Sequence, residues 1–528
     1  MLRSLITERP KKLGILIKKI SSLPILLIVV LILSIISCKQ EPKPAKLRPN
    51  ILFLMTDQMQ GRVLDPDHVC QTPNLDSLAQ RGVRFTQAYT PNPVCSPARA
   101  SLMTGLLPHS HGVVQVTHCT PDDQSVLREK PHWAQRLLAA GYRTGYFGKW
   151  HVERSNDLQR FGWEVNGYLG SDIYSHEAER LGATPPRKGE IPFENLTGGP
   201  EGYPRDLLYA ISEKPRALTG DVSVALAQKF LNKATEQEQP WLCFVSILEP
   251  HDPFVTSREA YERYDVASIP VPPNWNDPLD NRPGYYRKAA RAFNHLTEKE
   301  KKEAAAAYFA SITEIDTKFQ TLIDLVESKG QLDRTIIILT SDHGELLGAH
   351  GLYMKNAGAF EEAYNVPLIM AGPGIANGAV SEARVGLQDL APTILDLVGL
   401  ETIGAPDSRS FEPVLKNPEK NDPDYSTGYA EYYGTRYWLS QRILWDGPWK
   451  LVWNGFDFDE LYNLDEDPYE LQNLSEDPAY QNRLRLMMTK AWEKVRETND
   501  WPLLNATYPG LRVAPFGPKI LDSEATSP

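Results

Sequence analysis

The chain has 528 residues, of which 41% are hydrophobic and 23% charged, with 35 glycines and 42 prolines. That suits one large domain or roughly two to four average ones, and it excludes long disorder, coiled coil, collagen and a small disulfide scaffold as descriptions of the whole. The formal net charge is −11. The front end is cationic, so the remainder is more acidic still and a poor candidate for broad nucleic-acid capture.

Arg3, Arg9, Lys11, Lys12, Lys18 and Lys19 stand against Glu8, followed by an apolar stretch over 23–36. Such a run is short for a membrane span and fits a secretory signal core. It closes on Ile35-Ile36-Ser37-Cys38, which resembles a bacterial lipobox. The resemblance implies cleavage before Cys38, lipidation of its thiol, and an exported lipoprotein anchored in the membrane at the periplasm or cell surface. The alternative is an uncleaved signal-anchor helix. Residues 39–48 then form a Pro/Lys tether. With Cys38 assigned to the lipid, Cys70, Cys95, Cys119 and Cys243 remain, enough in an exported protein for two disulfides.

Short apolar runs predict buried strands over 51–55, 142–147, 241–248 and 335–339, and helical patterns lie at 75–80 and 222–232. The clearest helix spans 298–329. Thr297 and Glu300 form a capping box, Gly330 sits at C′, and Tyr308, Ile312, Ile315, Phe319, Leu322 and Val326 recur at spacings of three and four. Residues 170–220 read as an elaborated surface region rich in Gly and Pro. After Gly399 the pattern weakens, and a smaller unit follows from about 428, with strand alternation over 450–454 and 460–464 and a helix near 482–498. Strands alternating with helices predict an α/β sheet covered on both faces, followed by a small α+β appendage.

Each apolar strand runs into chemistry. The first meets Thr56-Asp57-Gln58, the second Gly148-Lys149-Trp150-His151, the third Glu249-Pro250-His251-Asp252 and the fourth Ser341-Asp342-His343-Gly344. Ligands in open α/β sheets bind outside the carboxyl ends of the strands, so the four predict one shared polar site. Asp57, Gln58 and Asp342 offer the hard oxygen donors that Ca²⁺, Mg²⁺ or Mn²⁺ takes, and the His343 imidazole suits Mn²⁺ better than Ca²⁺. Lys149, His151, His251 and Lys355 add cations or proton carriers. A divalent metal beside several cationic groups describes a site for a phosphoryl or sulfuryl oxyanion.

Pro93-Val-Cys95-Ser-Pro97-Ala-Arg99 carries Cys-x-Pro-x-Arg, followed by a helix-like run to Gly105. With it, the chain resembles the type I sulfatases of the alkaline-phosphatase superfamily. The opening strand to Asp57-Gln58, Gly148-Lys-Trp-His151, Thr340-Ser-Asp-His-Gly344 and Gly351-Leu-Tyr-Met-Lys355 resemble further blocks of that family in order. Glu460-Leu-Tyr-Asn-Leu-Asp-Glu-Asp-Pro468 resembles its C-terminal subdomain. The implied fold is a large mixed sheet between helices, plus a small α+β subdomain with an antiparallel sheet. The implied division is signal peptide 1–37, tether 38–48, catalytic domain 49–410, and C-terminal subdomain and tail 411–528.

The resemblance further implies that a maturation enzyme oxidises Cys95 to formylglycine, whose hydrate attacks sulfur and then expels sulfate with its second hydroxyl. Arg99 and Lys149 steady the diol, His151 assists the elimination, Lys149 and Lys355 hold the sulfate oxygens, and His251 is the acid for the leaving oxygen. Cys95 joins Asp57, Gln58, Asp342 and His343 as ligands of one divalent metal, with Ca²⁺ expected and Mg²⁺ or Mn²⁺ as alternatives. The expected substrates are sulfated sugars or oligosaccharides. Two departures stand out: many sulfatases have Asp-Asp in place of Asp57-Gln58, and Asn in place of His343. The same variants occur in phosphonate monoester hydrolases and choline-sulfatase-like members. A phosphonate monoester or phosphodiester substrate on the same site is therefore the alternative reading. An inactive glycan-binding lipoprotein, with Cys95 left as a thiol or in a disulfide, is a third.

Other residues have plainer readings. His109 and His111 are expected to pack behind the Cys95 helix, His350 either lines the pocket or packs beneath it, and Cys243 is a buried thiol. The glycosylation patterns at Asn195, Asn473 and Asn505 carry no meaning behind a bacterial lipoprotein signal.

Overall fold

The computed structural model describes residues 48–117, 130–183, 208–212, 216–355, 357–435 and 438–505. The signal and tether expectations, Cys38, Cys119 and the Asn195 pattern lie outside them. The described residues belong to one compact unit.

Its centre is an eight-stranded sheet: β1 (Asn50–Thr56), β2 (Gly82–Phe85), β3 (Arg143–Gly148), β4 (Val165–Tyr168), β5 (Trp241–Ser246), β6 (Thr335–Ser341), β7 (Leu368–Ala371) and β8 (Ala379–Ser381). The order is β8-β2-β7-β6-β1-β5-β3-β4. The other seven strands, running β6-β1-β5-β3-β4 and β2-β8, pair in parallel within their groups, and β7 is antiparallel to both neighbours. The predicted strands are thus the central ones. The short β2, β7 and β8 carry too few residues for their alternation to announce them.

Strand alternation feeds two separate cores. Ile51, Phe53 and Met55 of β1 point into one, which they share with α2 (Cys95–Thr104), α3 (Trp133–Ala139) and α6 (Leu390–Leu397). Leu52 and Leu54 point into the other, with α1 (Pro73–Gln80), α4 (Thr219–Ala234) and α5 (Glu298–Ser328). Burial on both faces is why these strands read as unbroken apolar runs. The ends of α5 are as predicted: Thr297 Oγ1 accepts from the Glu300 N–H at 3.3 Å, the Glu300 carboxylate accepts from the Thr297 N–H at 2.7 Å, and Gly330 takes φ 65°. Within 170–220 the described part contains a helix, Asp172–Leu181, and a short strand, Tyr209–Ser212.

The second sheet is a meander, β9 (Thr427–Tyr432), β10 (Gln441–Asp446), β11 (Trp449–Asn454) and β12 (Glu460–Asn463), antiparallel throughout. Leu444, Leu451, Trp453 and Leu461 pack under α7 (Gln481–Glu497), while Ile443, Trp445, Val452 and Tyr462 face Tyr89, Phe360 and Tyr364 of the main body. The junction is ionic as well as apolar. Buried Lys450 lies 2.8 Å from Glu361 and 2.7 Å from Glu470, and Glu361 also accepts from Tyr89 at 2.7 Å and Trp445 at 2.8 Å. Cys70, Cys95 and Cys243 are all free and buried. The expectation of two disulfides is thereby corrected, since three of the four thiols have no sulfur partner. Among the described residues no helix is long and apolar enough to cross a membrane.

Candidate active site

The carboxyl edge of the sheet gathers the predicted residues. Asp57 and Gln58 follow β1, Lys149 and His151 follow β3, His251 follows β5, and Asp342 and His343 follow β6. Cys95 is the first residue of α2, aimed at this edge, and the helix closes at Gly105 with φ 71°. A helix N-terminus favours developing negative charge on a nucleophile. Arg99 lies one turn further along the same face.

Arg99 organises the acidic side. It is fully buried, donates from Nε to Asp342 Oδ2 at 2.7 Å and from Nη2 to Asp57 Oδ2 at 3.0 Å, and uses Nη1 on Ser246 Oγ at 2.8 Å and the Lys149 carbonyl at 2.9 Å. Both outer carboxylate oxygens are thus occupied, and the two Oδ1 atoms each lie 3.6 Å from His343 Nε2. His343 Nδ1 contacts the Gly344 carbonyl at 2.9 Å, so in the neutral ring the proton sits there and Nε2 presents its lone pair inward. Nε2 is 3.2 Å from Cys95 Sγ. Ligand atoms of Asp57, Cys95, Asp342 and His343 all lie within 4.8 Å of one another. Two inward carboxylate oxygens, a fixed imidazole lone pair and the residue-95 side chain fit a divalent cation that takes hard donors and tolerates one nitrogen.

Gln58 completes that corner in a strained backbone position, φ 70°. Its amide oxygen accepts from Lys355 Nζ at 2.6 Å with a second lone pair remaining, and its amide nitrogen donates to Asp252 at 3.0 Å and to Glu345. Tyr308 of α5 donates to the Gln58 carbonyl at 2.8 Å.

The basic side surrounds the nucleophile. Lys149 Nζ bonds Asp57 and lies 3.5 Å from Cys95 Sγ, while Lys355 Nζ lies 2.7 Å from His251 Nε2. His251 Nδ1 faces the Asp252 carbonyl at 2.8 Å and its carboxylate at 3.2 Å. His151 hydrogen-bonds Cys95. Burial opposes ionisation of both acidic groups, as does the repulsion between Asp57 and Cys95. Even so, Lys149, His251 and Arg99 hold Asp57 well below the usual carboxylate range, and Lys149, Lys355 and His343 hold the Cys95 thiol well below its own. Burial lowers His151 to about 4, so it is a neutral base at pH 7. Beside it opens a cavity of about 330 Å³ lined by Thr117, Lys149, Trp150, His151, Glu153 and Arg154.

Three contributors escaped the sequence reading. Ser246 is the last residue of β5 and anchors Arg99. Glu345 stands three residues after Asp342, accepts from Gln58 and from the N–H groups of Leu347 and Met354, and is pushed by burial up to about 7. Asp252 was noted only as a neighbour of His251, and it also holds Gln58. Conversely, His350 does not line the pocket. It is fully buried, bonded to Asp277 and Asn274, and stacked on Phe360. His109 and His111 pack as expected, His109 on Glu431 and Thr498, and His111 on Ser101.

A nucleophile at a helix start, with inward carboxylates on one side and lysines and imidazoles on the other, defines a hydrolase for an oxyanion ester. The sulfatase family model matches residues 49–400, and that of the N-sulphoglucosamine sulphohydrolase C-terminal region matches 348–498. The choline-sulfatase of Rhizobium meliloti is 32% identical over 82% of this chain and 83% of its own. The N-acetylglucosamine-6-O-sulfatase of Bacteroides thetaiotaomicron is 26% identical over 89% of this chain and 90% of its own. In fold, the chain matches a protein solved with its substrate D-glucosamine-2-N,6-O-disulfate, with TM-score 0.69 and 23% identity over 86% of this chain and 98% of the other. It also matches a phosphonate monoester hydrolase from Silicibacter pomeroyi, with TM-score 0.70 and 25% identity over 85% and 96%. The chain belongs to the sulfatase family, with the alkaline-phosphatase-like fold, and is a sulfuric ester hydrolase.

Proposed function

We propose that this sulfatase hydrolyses sulfate esters of carbohydrates, with Cys95 matured to formylglycine and one divalent cation held by Asp57, Gln58, Asp342 and His343 at residue 95. The observation that carries the reading is the placement of residue 95 at the start of α2, between the inward carboxylate oxygens and Lys149. Formylglycine, as its hydrate, supplies one hydroxyl to attack sulfur and a second to expel sulfate. The cation, held by these residues, would supply Lewis-acid polarisation at residue 95, and Ca²⁺ is the expected metal.

This chain's own residues do the rest. Arg99 fixes both carboxylates. Lys149 and Lys355 bracket the position of the sulfuryl oxygens. His251, with Asp252 on Nδ1 and Nε2 towards the site, donates the proton to the leaving alcohol. His151, neutral and bonded to residue 95, takes the proton when sulfate is expelled. Sugar substrates are supported by the substrates named for the sulfatases it resembles.

Phosphonate monoesters are the second reading, favoured by Asp57-Gln58, Asp342-His343 and the structural likeness to a phosphonate monoester hydrolase. Peptide mass spectrometry on residues 85–99, from protein made with a maturation enzyme, tests the nucleophile, and aldehyde in place of thiol is the expected result. Parallel kinetics on aryl sulfate, phosphonate monoester and phosphodiester substrates test the ester, and a higher kcat/KM on the phosphonate would overturn the sulfate reading.

A further inference from the structure

We infer that the hairpin tips of the C-terminal sheet, with the start of a neighbouring helix, form an aromatic platform that stacks against sugar rings of the substrate. The inference rests on the carbohydrate-sulfate reading above and names how the sugar is held.

β9 to β10 and β11 to β12 turn at the same end of the meander, and the tips are bonded to each other, Gly455 N–H to the Ser440 carbonyl at 2.9 Å. These tips carry Trp438, Phe456 and Phe458, which are 66%, 39% and 37% exposed. Three large aromatics left in water on adjacent turns form a patch, whereas a single exposed one would need no explanation. Tyr285 stands beside them, half-buried on the helix Gly284–Ala290, whose first N–H donates to Asp457 between the two phenylalanines at 3.2 Å.

The patch is tied to the reaction centre from both sides. Leu439, next to Trp438, packs with Tyr432 and Val116 on Val94, the residue before Cys95, and Gln115 bonds the Tyr433 carbonyl at 3.1 Å. On the other side Tyr286, next to Tyr285, packs with Leu352, Ala357 and Phe360, which flank Lys355. One face of a pyranose is a sheet of C–H groups, and aromatic rings bury such a face with little loss of side-chain entropy. The catalytic centre at the sheet edge reads the sulfate, and the platform reads the sugar that carries it or the next ring along.

Trp438→Ala, Phe458→Ala and Trp438→Phe test this in the matured full chain. A panel of sulfated oligosaccharides is first ranked by kcat/KM on the wild type beside a small aryl sulfate. Trp438→Ala and Phe458→Ala are expected to raise KM for the best oligosaccharide about 3–10-fold, with kcat and all aryl-sulfate kinetics unchanged and Trp438→Phe close to wild type. An unchanged KM for the oligosaccharide overturns the platform, and so does an equal loss on both substrates, which marks a structural role. Wild-type turnover of aryl sulfate with none of the panel overturns the platform together with the sugar. Absence of turnover on aryl sulfate as well is the failure of the sulfatase chemistry itself.

Discussion

Lys355 Nζ lies 2.7 Å from His251 Nε2, so the lysine that faces the Gln58 amide also faces the imidazole nitrogen aimed at the reaction centre. The other ring nitrogen of His251 faces the Asp252 carbonyl and carboxylate, so the ring is held at both ends. The atom assigned to protonate the leaving group is thus fixed in place by Lys355 on one side and Asp252 on the other.

The assignment of His251 as acid predicts a dependence on leaving group. His251→Ala is expected to lower kcat by about 10²–10⁴ on an alkyl or sugar sulfate, whose alkoxide needs a proton, and much less on an activated aryl sulfate. A plot of log kcat against leaving-group pKa should steepen in the variant; an unchanged slope would remove His251 from that role.

Arg99 is expected to matter for folding as much as for rate. Its removal leaves Asp57 and Asp342 buried side by side without their cation, and Arg99→Ala should cost about 3–5 kcal/mol of stability. Arg99→Lys should rescue little, because one ammonium cannot bridge two carboxylates and Ser246 at once. Thermal denaturation of the two variants beside wild type gives the comparison.

His109 predicts a stability change with pH. Burial opposes its charge, but Glu431 on Nδ1, with Asp500 and the Thr498 carbonyl, raises its pKa from 6.5 to about 9. The proton is bound more tightly in the folded state, so the stabilisation is complete below about pH 6.5 and is lost as pH rises through 9. The Tm advantage of wild type over His109→Gln should shrink across pH 7 to 10; a gap that stays constant would mean that the ring acts by packing alone.

Gly148 links β3 to Lys149 with φ 105°, and a Cβ there would overlap the Ser246 carbonyl oxygen, which also accepts from the Lys149 N–H at 2.8 Å. Gly148→Ala should cost on the order of 1–3 kcal/mol and displace Lys149. The expected kinetic result is a larger fall in kcat than the same stability loss causes elsewhere, for instance in Gly330→Ala, where a Cβ meets open space.

Chelation should abolish turnover, and metal analysis of the active protein should give about one divalent ion per chain, absent from Asp342→Asn. His343 supplies a nitrogen donor, so Mn²⁺ is expected to restore activity after chelation alongside Ca²⁺. Full activity in metal-free protein would remove the cation from the reaction.

The parts of the site visible in the sequence are those each strand delivers within five residues of its end, because a buried parallel strand is a continuous apolar run whose last polar neighbours stand out. Asp57, Lys149, His251 and Asp342 are of this kind. Ser246 was hidden because a serine at a strand end looks like any other, and only the Arg99 guanidinium 147 positions earlier gives it a task. Glu345 was hidden for a similar reason: its partners Gln58 and Met354 are joined to it by the fold, not by spacing. The capping box and Gly330 of α5 were readable because they are local. The short strands β2, β7 and β8 were not, since β2 is placed only by pairing with β7 and β8, far along the chain.

Lys450, enclosed by Glu361 and Glu470, makes the two sheets electrostatically interdependent. Exchange of the C-terminal meander for that of another sulfatase would strand Glu361 and Glu470 in the interior without their cation unless the donor brought a lysine in the place of Lys450. Substrate preference held on the hairpin tips is therefore inherited with the whole meander and its ion pair, and new specificity is more readily acquired by changing tip residues such as Trp438 than by shuffling the module.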